Sequence, residues 1–242
     1  MVEVILIENE KNYIVATVQS WNVDAFYQHV RNWPGKWTLI SNEQELSERK
    51  IKNIKPRYIF FPHWSWRVPD EILQISECVC FHMTNLPYGR GGSPLQNLIV
   101  RGHDSTYISA LKMVSDLDSG PIYLKKPLKL IGNAQEIYKN SAEIICQMIE
   151  NIVSEEPEAK PQKGKPLYFT RRTPQESLLP ISLSIREIYD YIRMLDADNY
   201  PRAFIEYGDM KIEFFNASIE SEESISAKVE IKLKKNSEIE KK

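Results

Sequence analysis

Residues 78–94 read CVCFHMTNLPYGRGGSP. Cys78, Val79, Cys80 and Phe81 form a short apolar run and predict a strand. A helical pattern opens near Ser93, so the whole stretch predicts strand, loop, helix. His82 falls where the strand ends. Gly89, Gly91 and Gly92 let backbone approach closely, and Pro87 and Pro94 stiffen the loop. In open α/β sheets ligands bind in the crevice beyond the carboxyl ends of the strands. A histidine at such an end is a candidate acid or base.

Working outward, the same alternation recurs. Residues 2–7, 13–18, 37–40 and 58–62 are apolar strand candidates, and 13–18 is nearly continuous, as in strands buried on both faces. Between them lie a helix opened by Asn22 or Asp24, a charged helix from Ser41 or Asn42 to about Ile54, and a short helix from Pro69. The pattern predicts an α/β fold: a Rossmann-like, mostly parallel sheet with helices on both faces. Downstream, 106–114 and 122–130 form a strand pair around a turn-rich loop. Residues 133–153 carry apolar side chains at helical spacing. Residues 155–165 are rich in Pro and charge and read as a surface connection. A helix capped by Ser184 and strands at 203–207, 211–215 and 227–233 then predict a small α+β unit, ending in a polar tail from Lys234. The expected division is 1–175 for the main domain and 176–242 for the small one.

Composition bounds the rest. The 242 residues are 42% hydrophobic and 26% charged, with a net charge of −2. That is ordinary for a soluble globular protein and predicts no general affinity for nucleic acid. Three cysteines, Cys78, Cys80 and Cys146, point to a reduced, cytoplasmic protein. No apolar run is long enough for a membrane span. Cys78, Cys80 and His82 share one strand face, but zinc would need a fourth ligand at an unusual spacing, so no metal is expected.

The motif His82-x-Thr84-x-Leu86-Pro87-x-x-Arg90-Gly91-x-x-Pro94, followed by Leu117-Asp118-Ser119-Gly120, resembles the formyltransferases that use 10-formyltetrahydrofolate. The 36 residues from His82 to Asp118 agree with that family's spacing. The resemblance implies His82 and Asp118 as catalytic residues, together with an Asn two positions before the His, where this chain has Cys80. It implies a folate site formed by Pro62, His63, Trp64, Ser65, Leu117 and Asp118. It implies an acceptor site at Thr84, Tyr88, Gly89, Arg90, Gly91, Arg171 and Arg172. Residues 169–174, 188–195 and 200–204 resemble the nucleotide-sugar branch. The expected acceptor is therefore the amine of a UDP-, dTDP- or GDP-linked amino-dideoxy sugar, with no nucleic acid and no membrane as partner. The small unit is expected to complete that site or to form a homodimer surface. The alternatives are a binding protein of the same fold, motivated by Cys80, a hydrolase releasing formate, and a methionyl-tRNA formyltransferase-like enzyme.

Overall fold

The structure is a computed structural model and describes residues 10–234. The strand expected at 2–7 and the tail beyond Lys234 lie outside the described residues. The first half alternates as expected: β1 (Asn12–Ala16), α1 (Ser20–Gln28), β2 (Lys36–Ile40), α2 (Glu48–Ile54), β3 (Tyr58–Pro62), α3 (Asp70–Ile75) and β4 (Glu77–His82). After it come β5 (Tyr88–Gly91), α4 (Pro94–Ile99), β6 (Ser105–Lys112), β7 (Ile122–Lys129), α5 (Ala134–Glu155) and β8 (Leu167–Phe169). The chain closes with α6 (Ile185–Arg193), β9 (Ala203–Tyr207), β10 (Met210–Ser221) and β11 (Ser224–Leu233).

Six strands form one sheet in the order β2-β1-β3-β4-β6-β7. The pairs β1–β2, β1–β3 and β3–β4 are parallel, and β6 runs antiparallel to β4. This is the Rossmann-like α/β class. The strand order reverses at β1, so the carboxyl ends of β1, β3 and β4 share one rim of the sheet. Residues of both parities are buried along the central strands. Ile14, Ile59, Phe61 and Cys78 join Ile51 of α2 and Ile72 of α3 in one aliphatic cluster. Tyr13, Trp37, Tyr58, Phe60 and Phe81 carry a run of ring contacts, from the stacked Tyr13–Trp37 pair at 4.5 Å to Phe60–Phe81 at 6.3 Å. Two covered faces explain why these strands read as continuous apolar runs.

The local departures have local causes. The charged helix expected from Asn42 is broken in two: Asn42 caps a single 3-10 turn, and Ser47 caps α2 through the Lys50 N–H. Two short strands, β5 and β8, were not expected. They pair with each other, and Gly91 permits the approach, since a Cβ there would lie 2.3 Å from the Phe169 carbonyl oxygen. Chain contacts divide the molecule into two interleaved units. One comprises residues 1–90, 107–128 and 139–168, and the other 91–106, 129–138 and 169–242. The division expected after residue 175 thus falls inside the second unit. In that unit Ser184 and Glu187 form a capping box on α6. The Arg193 guanidinium, 4% exposed, is held by Asp190 at 2.6 Å and by the carbonyls of Leu130 and Gly132. The antiparallel ribbon β11-β10-β9 completes it. Among the described residues no helix is long and apolar enough to cross a membrane.

Candidate active site

β4 delivers Cys80 and His82 to the same face of the sheet, two residues apart. His82 is buried at the strand end, and its Nε2 lies 2.7 Å from the Gly89 carbonyl oxygen. A carbonyl only accepts, so Nε2 carries the proton in the neutral ring and Nδ1 holds the lone pair. Nδ1 faces Asp118 Oδ2 at 3.6 Å. That is too long for a hydrogen bond and short enough for strong charge attraction once Nδ1 is protonated. Both side chains are nearly buried, at 7% and 8% exposed, so the attraction is weakly screened. Asp118 sits in the loop between β6 and β7 with φ of +51°, a conformation tolerated by Asp, Asn and Gly. Burial, and then the Asp118 carboxylate, push the Cys80 thiol up, so it stays protonated and offers a weak S–H donor rather than a nucleophile. Among the described residues no three His, Cys, Asp or Glu side chains gather as a metal set.

The loop after β3 borders the same rim. His63 adopts φ of +50°. Its Nδ1 accepts from Trp21 Nε1 at 3.2 Å and Asn22 Nδ2 at 2.9 Å, and its Nε2 lies 3.0 Å from Met83 Sδ. Burial, with His82 adding repulsion, lowers its pKa from 6.5 to about 4. The folded state therefore binds fewer protons than the unfolded chain between those values. The contribution is intact above pH 6.5 and declines as pH falls towards 4. By linkage the loss approaches about 3 kcal/mol. His63→Asn keeps the left-handed backbone and an acceptor but does not titrate there. Urea midpoints at about pH 7 and about pH 4.5 should differ less for this variant than for the wild type. An equal acid loss in both would show that His63 is not the group involved.

The other expected site residues fall into two groups. Trp64 packs between Phe61 and Trp66, and its buried indole N–H has no hydrogen-bond partner among the described residues. Pro62 ends β3 as a buried residue, with Asn22 Nδ2 3.4 Å from its carbonyl, while Ser65 and Leu117 are exposed. Thr84, fully buried, and Gly89 serve the loop itself: the Gly89 carbonyl accepts from His82 and Thr84, and the Thr84 carbonyl accepts from Ser109. Tyr88 is half-buried. Arg90 gives its guanidinium to Gln162 and to the Tyr168 hydroxyl rather than leaving it free for a ligand. Gly91, Arg171 and Arg172 belong to the second unit. There Arg171 is exposed, while Arg172 bonds the Glu176 carbonyl and the Tyr191 hydroxyl. Trp21, Lys125 and Gln162 were missed as site neighbours. Lys125 Nζ donates to Asn85 Oδ1 and to the Leu86 carbonyl, both at 2.6 Å. No sequence spacing marks any of the three.

Residues 174–232 match the family described as the methionyl-tRNA formyltransferase C-terminal domain. The solved structure of a methionyl-tRNA formyltransferase from Clostridium thermocellum is 44% identical, with a TM-score of 0.88 over 92% of this chain and 99% of that one. The chain belongs to the formyltransferase family. A methionyl-tRNA formyltransferase from Sulfurihydrogenibium is 26% identical over 74% of this formyltransferase, which spans only 60% of that relative's length.

These matches correct the nucleotide-sugar expectation. A 4-N formyltransferase from Francisella tularensis is 16% identical with a TM-score of 0.62, which is a likeness of fold alone. Of the three segments that resemble the sugar branch, 188–195 and 200–204 lie within the matched methionyl-tRNA formyltransferase domain, and 169–174 meets it at Pro174. The expectation of no nucleic-acid partner falls with it. The argument for it was weak in physical terms. Net charge sums over the whole surface, whereas a polyanion is held by local positive potential.

Proposed function

We propose that this formyltransferase moves a formyl group from 10-formyltetrahydrofolate to the α-amino group of methionyl-tRNA. The observation that carries the reading is the 44% identical relative covered over 99% of its length. The buried His82–Asp118 pair supports it chemically. A cytoplasmic setting goes with that acceptor.

The folate donor supplies an activated formyl carbon. The loop after β3 suits a flat, hydrogen-bonding ring system: it offers the Trp64 indole N–H without a partner, beside the Trp66 ring at 5.1 Å. Pro62, His63, Trp64, Ser65, Leu117 and Asp118 would hold the folate. The remaining steps belong to this chain. The amine attacks the formyl carbon through its lone pair, forming the new C–N bond while the carbonyl electron pair moves to oxygen; the return of that pair breaks the bond to the folate nitrogen. The attacking nitrogen must lose a proton, and His82 Nδ1 holds the free lone pair that takes it. The Gly89 carbonyl keeps the ring in that tautomer, and Asp118 stabilises the imidazolium. The proton then passes to the leaving folate nitrogen. Cys80 occupies the place from which a stronger donor would stabilise the developing oxyanion.

The direct test combines purified protein, 10-formyltetrahydrofolate and methionyl-tRNA. Formyl-methionyl-tRNA is the expected product, and uncharged tRNA should give none. Folded protein that binds folate yet forms no product would sink the reading. A second expectation concerns Cys80→Asn. An amide N–H is a stronger donor than a thiol, so kcat should rise by about tenfold or more. A fall in kcat would mean that the site is shaped around the thiol.

A further inference from the structure

We propose that Gln162 is a positioning residue that holds Asp118 in place for His82. The proposal rests on the His82–Asp118 reading above. Gln162 lies in the Pro- and charge-rich connection after α5, 44 residues from Asp118. Its Nε2 donates to the Asp118 carbonyl and to the Gly120 carbonyl, each at 2.8 Å. Its Oε1 accepts from Arg90 Nη2 at 2.8 Å and from Arg90 Nε at 3.2 Å. An amide has two N–H groups and two lone pairs, and all four are used. The opposite amide orientation would set oxygen against two carbonyls and N–H groups against a guanidinium, so the partners decide it.

This arrangement joins two loops that nothing in the sequence links. Arg90 follows Gly89, whose carbonyl fixes the His82 ring. Asp118 itself turns the loop at φ of +51°, and its carbonyl, with that of Gly120, is what Gln162 holds. The Arg90–Gln162 pair therefore sets the loop that orients His82 against the loop that carries Asp118. A displacement of about 1 Å at such a pair can cost up to about a hundredfold in rate. Arg90 also donates to Tyr168 through Nη1 at 3.3 Å, which braces the guanidinium from its far side.

Gln162→Glu separates positioning from simple folding. The carboxylate keeps, and strengthens, the Arg90 pair, but it has no N–H for the two carbonyls. Its other oxygen faces those carbonyls, so a fall in Tm of about 2–8 °C is expected, which leaves the variant folded at assay temperature. Backbone amides 116–120 should exchange hydrogen faster, and kcat should fall by about tenfold or more, with the pH–rate profile displaced. Gln162→Ala should show the same kinetic change with some loss of stability. Unchanged exchange at 116–120, or a kcat for Gln162→Glu within about twofold of wild type, would overturn the proposal. His82→Ala run alongside keeps the two readings apart. If it remains active the reading of His82 and Asp118 as the acid–base pair fails, while the exchange data still decide whether Gln162 anchors the loop.

Discussion

Replacing His82 by alanine is expected to lower kcat by about 10²–10⁴-fold, the range contributed by a positioned general base. The argument is geometric. Nε2 is committed to the Gly89 carbonyl at 2.7 Å, so Nδ1 is the free base, and Asp118 stands 3.6 Å from it. Alanine removes the base and takes the 2.7 Å His82 donor from the Gly89 carbonyl, which keeps the Thr84 hydroxyl at 3.4 Å. Some stability will therefore be lost with the activity. His82→Asn is the cleaner variant, because it keeps a polar side chain of similar size but has no basic nitrogen. Both should retain folate binding, measured by titration. A variant with near wild-type kcat would remove His82 from the mechanism.

Gly120→Ala should be the most damaging small substitution in the molecule. A Cβ at Gly120 would lie 1.8 Å from the Lys112 carbonyl oxygen, a backbone atom that cannot swing away. The need for glycine here is one of space. Either the β6–β7 loop moves or β6 does. We expect a loss of about 3 kcal/mol or more, seen as a fall in Tm of about 6–12 °C. Movement of the loop also carries the Gly120 carbonyl away from Gln162 and shifts Asp118. The kcat should then fall by about a hundredfold even at temperatures where the variant is folded. Gly208→Ala is the control. It sits in the β9–β10 turn with φ of +55° and nothing within 4 Å of a new Cβ, so only about 1 kcal/mol is at stake. Equal effects at the two sites would refute the steric argument.

The alternation of short apolar runs with helical segments was legible because a parallel sheet covered on both faces writes its burial into every residue of its strands. Tyr58 to Pro62 and Cys78 to Phe81 carry that signal plainly. β5 and β8 escaped because each is three or four residues long and defined by pairing with the other, across a distant connection. The break between Asn42 and Ser47 was ambiguous because both residues cap, and sequence alone does not choose between two competent caps. The acceptor was misjudged for a different reason: net charge describes the whole chain, whereas recognition is local.

The chain's own chemistry determined the class of sheet, the end of β4 as the place for His82, and the pairing of His82 with Asp118 across 36 residues. The first two follow from periodicity and residue type, and the third from the resemblance of the two motifs to the formyltransferase family. Tertiary structure alone decided which nitrogen of His82 is free, that the Cys80 thiol stays protonated, and that Arg90 turns to Gln162. Each of these depends on atoms brought together from far along the chain. A hydrogen bond between a polar connection and the Asp118 loop has no period and no composition, and it exists only once the chain has folded.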